Sequence, residues 1–183
     1  MGRATMRILR LAAALAVAAG TAACFQPLYS ERPAGGAPAV HASLSGVEIQ
    51  QILAPTGTPE ARIAVELRNA LLFGLQGGGG PGAPTHQLRV RVASTRLSVI
   101  VDVTTARPDV ENFGINASYE LVDLGSGKVV VRGQTFSRVS YDIPGQQQRF
   151  ARARGLRDAE NRAAQVIADN IRARLASYFV AGT

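Results

Sequence analysis

The run from Asn112 to Leu121 alternates without a fault. Phe113, Ile115, Ala117, Tyr119 and Leu121 are apolar, and Asn112, Gly114, Asn116, Ser118 and Glu120 fall between them. Side chains of a strand point to opposite faces in turn, so this segment is a strand with one buried and one wet face. A sheet containing it must be covered on one side only. Asp123-Leu124-Gly125-Ser126-Gly127 then reads as a turn, and Lys128 to Tyr141 as a returning strand. There Arg132, Gln134 and Arg138 oppose Val129, Val131 and Val139, and the two strands make a hairpin.

The neighbouring segments supply the rest of the layer. Gln87 to Val103 is a long strand whose apolar parity switches, from Leu88, Val90 and Val92 to Leu97, Val99, Val101 and Val103. Keeping one apolar face across that switch requires a bulge or bend, expected at Ala93 to Arg96. Val47 to Leu53 predicts a short first strand. Thr58-Pro59-Glu60 reads as a helix start: an N-cap, a proline at the first position and an acid at the positive dipole end. Ile63, Leu67, Ala70, Leu71 and Gly74 then share a face until about Leu75. Gly77 to Pro84 is a loop, and Pro144-Gly145 breaks the chain again. A last helix is expected from about Gln146 to Phe179, striped by Ile167, Ile171, Leu175 and Tyr178, with Gly155 a weak point. At about 45 Å it is longer than a small domain needs, so one end is expected to project or bend. The fold class is therefore α+β: two amphipathic helices on one face of a four-stranded, largely antiparallel sheet, in the order β-α-β-β-β-α.

The N-terminus does not belong to that domain. Arg3, Arg7 and Arg10 precede a short apolar run, Leu11 to Ala19, followed by small residues and then Cys24, the only cysteine among 183 residues. This is the layout of a secretory signal peptide, and the run is far below the roughly 20 residues that span a bilayer. Residues 1–23 are read as signal peptide, 24–46 as a lipidated cysteine and flexible tether, and 47–183 as a single domain. Ala22-Ala23-Cys24 resembles a bacterial lipobox, although Thr21 stands where an aliphatic is usual. The alternative is an ordinary signal peptide and a spare thiol. Acyl and diacylglycerol chains (palmitate among them) on Cys24 would anchor the chain stably. By resemblance to sorting rules, Phe25 after the cysteine favours the outer membrane.

The three leader arginines leave with no acid, so the formal charge of +7 becomes +4. No nucleic-acid-binding motif accompanies that mild basicity. His41 and His86 read as solvated loop histidines without partners at ligand spacing, so neither a metal site nor a cofactor is indicated. Asp102, Asp109 and Glu111 form a loose acid group that predicts no specific chemistry. Gly77 to Gly80 lacks the Lys and Ser/Thr of a phosphate loop. Arg149, Arg152, Arg154, Arg157 and Arg162 could form a basic ridge. Pairs Arg154–Asp158, Asp158–Arg162 and Arg157–Glu160 would neutralise much of it. Arg89, Arg91, Arg132 and Arg138 should all lie on the uncovered sheet face. They are the candidate residues for a phosphate-bearing ligand or partner.

Several of these segments resemble one family. Cys24-Phe25-Gln26-Pro27-Leu28-Tyr29 is similar to the Cys-Gly-Phe-x-Pro-Leu-Tyr start of mature LptE lipoproteins, without the Gly. Arg96-Leu97-Ser98-Val99, Tyr119 to Asp123, Gly127 to Val130, and Asp158-Ala159-Glu160 with Ala163 and Ala164 are similar too. The resemblance implies a non-catalytic, periplasm-facing lipoprotein of the outer membrane. It would sit inside the β-barrel LptD and aid insertion of lipopolysaccharide into the outer leaflet. An auxiliary lipoprotein of an ABC-type lipid transport system is the alternative, and a lipid-anchored hydrolase a weaker one for want of a recognisable site.

Overall fold

A computed structural model describes residues 40–77, 80, 82–102, 107–143 and 149–181, without the side chains of 100–102, 107–109 and 149. The leader, Cys24, Val103 and Pro144-Gly145 lie outside the described residues. The elements are α1 (Val40–Ser45), β1 (Val47–Ile49), α2 (Pro59–Gln76), β2 (His86–Asp102), β3 (Arg107–Asp123), β4 (Val129–Asp142) and α3 (Arg149–Ala181). The order is the expected one, preceded by a short helix. The tether was expected to reach Gly46, yet Val40–Ser45 is helical and Leu44 is buried. A six-residue helix that buries one side chain is too short to show a helical period in the sequence.

The sheet runs β1-β2-β3-β4. β1 is parallel to β2, because α2 carries the chain back between them, and the other pairs are antiparallel. β1 ends at Ile49, short of the expected Leu53; Gln50 N–H still donates to Leu88 O at 3.0 Å.

α2 and α3 cover one face. Leu88, Val90, Phe113, Ile115, Leu121 and Val131 of the sheet meet Ile63, Leu67 and Leu71 of α2 and Ile167, Ile171 and Leu175 of α3. Each fully buried side chain of this size contributes about 1.5–3 kcal/mol of transfer free energy. On α3, the small residues Ala159, Ala163 and Ala164 are fully covered as well.

Local chemistry sets the element ends. Thr58 is the N-cap of α2, as expected, but its hydroxyl donates backwards to Pro55 O at 2.7 Å instead of accepting from the helix. Glu60 serves the first turn by accepting from Ser94 Oγ of β2 at 2.5 Å, and that bond holds its carboxyl below the usual range. Gly77 closes α2 in the left-handed region (φ 61°), its N–H donating to Phe73 O at 2.9 Å. In the β3–β4 turn, Asp123 Oδ1 accepts from Ser126 N–H and Oγ, both at 2.7 Å. Those two bonds lower its pKa.

α3 neither breaks at Gly155 nor leaves the sheet. Its 33 residues span about 50 Å, and β2 and β3, of 17 residues each, span about 55 Å. The long strands supply a bed for the long helix. A Cβ on Gly155 would stand 3.3 Å from Tyr141, so the glycine serves close approach to β4. A closer approach occurs at Gly133, where an added Cβ would fall 2.5 Å from the Tyr119 ring. Tyr119 is buried, which raises its pKa and leaves its ring little room to move. Gly133→Ala should therefore cost about 1–3 kcal/mol, read as a lower midpoint in urea denaturation at unchanged slope.

Candidate functional site

The bulge expected at Ala93 to Arg96 is not there. β2 pairs with β3 in unbroken register from His86–Asp123 to Val99–Val110, and the irregularities come at Val99/Ile100 and Ile100/Asp102. With no slip, even-numbered β2 residues face the helices and odd-numbered ones face away. Leu97 and Val99 consequently sit on the uncovered face, 67% and 36% exposed. The parity switch in the sequence is an apolar segment on the outer face, not a bend.

The four arginines singled out from sequence share that face. Arg89, Glu120 and Arg132 form one row across β2, β3 and β4, and Arg91, Ser118 and Gln134 the next. Ala93, Asn116 and Phe136 follow, then Thr95, Gly114 and Arg138. Arg132 Nε donates to Glu120 Oε1 at 2.9 Å. Arg89 spends two donors on Gln87 Oε1, a neutral acceptor. Arg138 lies over the Phe136 ring, 5.9 Å from its centroid. Among the described residues no carboxylate pairs with Arg89, Arg91 or Arg138.

Two open hollows indent this surface. One, of about 240 Å³, is bordered by Arg89, Arg91, Glu120 and Arg132. The other, of about 350 Å³, lies over Ala93 and Asn116 between Arg91 and Phe136. They share Arg91, Ser118 and Gln134, so they form one trough. Its floor is made of small side chains, and Glu120 is the one carboxylate lining it. The guanidiniums can donate bidentate hydrogen bonds to phosphate or carboxylate oxygens.

Sequence reasoning missed Phe136 and Leu97. Phe136 is 66% exposed, and its place in the Arg132-Gln134-Arg138 alternation was the available signal. Leu97 was misassigned because an apolar run was presumed to face inward.

The charges near α3 are arranged differently from the expectation. Of the three intrahelical pairs only Asp158–Arg162 forms, at 2.8 Å. Glu160 turns inward, 3% exposed, and accepts from Arg62 Nη2 at 2.9 Å and 3.2 Å, with Arg96 Nη2 at 3.9 Å. Arg152 reaches Glu111 at 2.9 Å. His86 is the first residue of β2, not a solvated loop residue: Phe179 packs edge-on at 5.1 Å and Asp123 Oδ2 lies at 3.8 Å. His41 belongs to α1. Asp102 and Asp109 have no described side chains.

Glu111 is the remaining member of that acid group, and it is structural. It accepts from Tyr141 Oη, from Arg152 and from Ser98 Oγ at 3.3 Å. Burial raises its pKa, but the Tyr141 bond, the Arg152 charge and the Ser98 bond outweigh it, and the net shift is downward. Burial, then the Glu111 bond and charge, push Tyr141 up to about 12, so it remains the donor. A lowered carboxylate pKa stabilises the fold fully above the ordinary value and loses that contribution as pH falls through the folded value. Between about pH 5 and pH 3 the wild type should lose stability more steeply than Glu111→Gln, measured by urea midpoints at each pH.

The domain is thus a helix-backed sheet with one uncovered, arginine-bearing face. The family model described as LptE, lipopolysaccharide-assembly, matches residues 45–175, and the chain belongs to that family. Among solved structures it is similar to a candidate lipoprotein of Caulobacter crescentus, at 22% identity over 77% of this chain and 96% of that one, TM-score 0.59. It is also similar to rare lipoprotein B of Shewanella oneidensis, at 13% identity over 73% and 96%, TM-score 0.51. Both likenesses are of fold. No curated protein matches the sequence.

Proposed function

We propose that the chain is a lipoprotein anchored in the outer membrane through acyl chains on Cys24. In this reading it binds within the lipopolysaccharide translocon barrel LptD, assists that barrel's assembly and aids placement of lipopolysaccharide in the outer leaflet, without catalysing a reaction. Membership of the lipopolysaccharide-assembly family carries the reading. The uncovered basic face supports it: the lumen of an outer-membrane barrel is polar, and arginines suit the phosphates of lipopolysaccharide. Arg89, Arg91, Arg132 and Arg138 are the residues assigned to that contact.

The test is a detergent pull-down of the tagged, full-length protein from its native membranes. A large outer-membrane β-barrel at about one-to-one is expected. Inner-membrane transporter subunits instead would sink the role and favour an auxiliary lipoprotein of an ABC-type lipid transporter. Cys24→Ser should release the protein from the membrane fraction into the soluble one, since one domain of this charge has no other stable anchor in this reading. Retention of the serine variant in washed membranes, with no barrel attached, would exclude acylation as the anchor.

A further inference from the structure

The two edges of the sheet are finished differently. β1 supplies one edge and is three residues long. Where β2 runs on past it, Ser94 N–H is capped by Glu60 Oε1 at 3.3 Å. The other edge is β4, 14 residues and about 45 Å long. It contains no proline, and its register with β3 is unbroken from Val131 to Asp142. Short strands, bulges, prolines and covering side chains are the usual means of blunting an edge. Among the described residues β4 has only its charges, and Gly133 to Ser137 carries none. The pairing decides which backbone groups stay open. Gln50 N–H donates to Leu88 O and Ser94 N–H to Glu60, so even-numbered β2 residues turn their N–H and C=O away from β3. Odd-numbered β2 residues therefore bond β3, odd-numbered β3 residues bond β4, and odd-numbered β4 residues answer them. Arg132, Gln134, Phe136, Arg138 and Ser140 are left with N–H and C=O pointing out of the sheet. Among the described residues no backbone group meets them there.

We infer that β4 takes on a further strand, an extended acidic segment of a protein partner. In strand addition the main-chain hydrogen bonds supply the affinity and the flanking side chains supply the choice of partner. Lys128, Arg132 and Arg138 give this edge three cations, and Asp142 is its one acid. A second copy of the chain would set like charge against like. Carboxylates on an added strand would instead meet Lys128 and Arg138, and opposite charges across neighbouring strands stabilise the pairing. Arg138 lies over the Phe136 ring and pairs with no carboxylate among the described residues. The inference rests on the proposed role in taking the partner to be the barrel, and adds how the two chains touch. The wall strands of a closed barrel are already paired on both sides, so the segment lies outside the wall. The contact uses the edge of the sheet and leaves the trough on the open face free.

Amide hydrogen exchange at single-residue resolution tests this on the full-length protein, purified alone and together with the barrel it brings down. In the complex the amides of Arg132, Gln134, Phe136, Arg138 and Ser140 should exchange roughly tenfold or more slowly. Those of the odd-numbered residues between them, already bonded to β3, should change little. A barrel at one-to-one with these five amides unprotected overturns the strand addition and leaves the assembly role standing. A preparation without a barrel overturns that role, and this inference with it. Protection that appears without the barrel and rises with protein concentration makes a second copy the occupant and overturns the acidic segment. A benzophenone amino acid at Phe136, 66% exposed, should attach to a barrel segment containing Asp or Glu. Attachment to a segment without either overturns the acidic occupant. Ser140→Pro removes one outward N–H and no bond to β3, a place where edge strands accept proline. Ser140→Ala loses the same hydroxyl bond to Asn112 Oδ1 but keeps the N–H. The proline variant should bring down several-fold less barrel than the alanine variant, and equal recovery overturns the inference. The exchange pattern is read on the wild-type chain and decides the matter even where the proline variant does not fold.

Discussion

Phe113→Ala should remove about 3–5 kcal/mol of folding stability, the largest effect expected of any single truncation in this chain. Phe113 lies in the middle of the sheet on β3, is 0% exposed, and is the largest of the fully buried side chains. β2 and β4 flank it through Arg96 and Val139, so the neighbouring strands cannot collapse into the space without breaking register. A cavity therefore remains and adds to the lost transfer free energy. Against a total stability of about 5–15 kcal/mol, this brings the domain near its unfolding threshold. Urea denaturation followed by circular dichroism reads it directly. Phe150→Ala is the control: that ring is 87% exposed, and its loss should change stability by less than about 0.5 kcal/mol. Equal effects from the two substitutions would mean that the core is not where β3 places it.

The second large effect is an asymmetry. Arg62→Met should cost about 2–3 kcal/mol, while Glu160→Leu should be close to neutral. Arg62 donates Nη2 to both oxygens of Glu160, at 2.9 Å and 3.2 Å, and its Nε adds a weaker 3.4 Å contact. Its side chain is 52% exposed, whereas that of Glu160 is 4% exposed. Removing the arginine strands a buried carboxylate with only Arg96, 3.9 Å away. Removing the carboxylate lets two half-exposed arginines turn to water, and a leucine takes up the same space. The lower end of the quoted range reflects the exposure of Arg62, which solvent screens. A double-mutant cycle measures the coupling. Equal costs for the two single variants would contradict the burial difference on which the asymmetry depends.

These two predictions depend on sequence information to different degrees. Phe113 was recognisable as core because it belongs to an alternating run, and alternation is a local property. The role of Glu160 was not recognisable. Its helical spacing to Arg157 suggested a solvated pair, but its partner is Arg62, 98 positions away in sequence. The same distinction separates the arginines. Arg89 and Arg91 had to share one side of β2, and Arg132 and Arg138 one side of β4, because side-chain parity follows from the strand itself. Arg152 was assigned to a helical ridge, and only the packing of α3 against the far end of the sheet brings it to Glu111.

The number and kind of the long elements, the hairpin turn at Asp123 to Gly127 and the two-faced character of the sheet were all determined by the sequence alone. Each depends on spacings of a few residues, over which strand and helix periods and capping chemistry act. The tertiary structure decided what those periods leave open. It kept β2 in register through Val99 instead of bending at Ala93, and so turned Leu97 and Val99 outward. It laid α3 along strands long enough to carry it, and it folded Val40–Ser45 onto the domain through Leu44. In each case the deciding contact lies between segments distant in the chain. A one-residue shift in β2 would cost the pairing of its whole length, far more than exposing two aliphatic side chains.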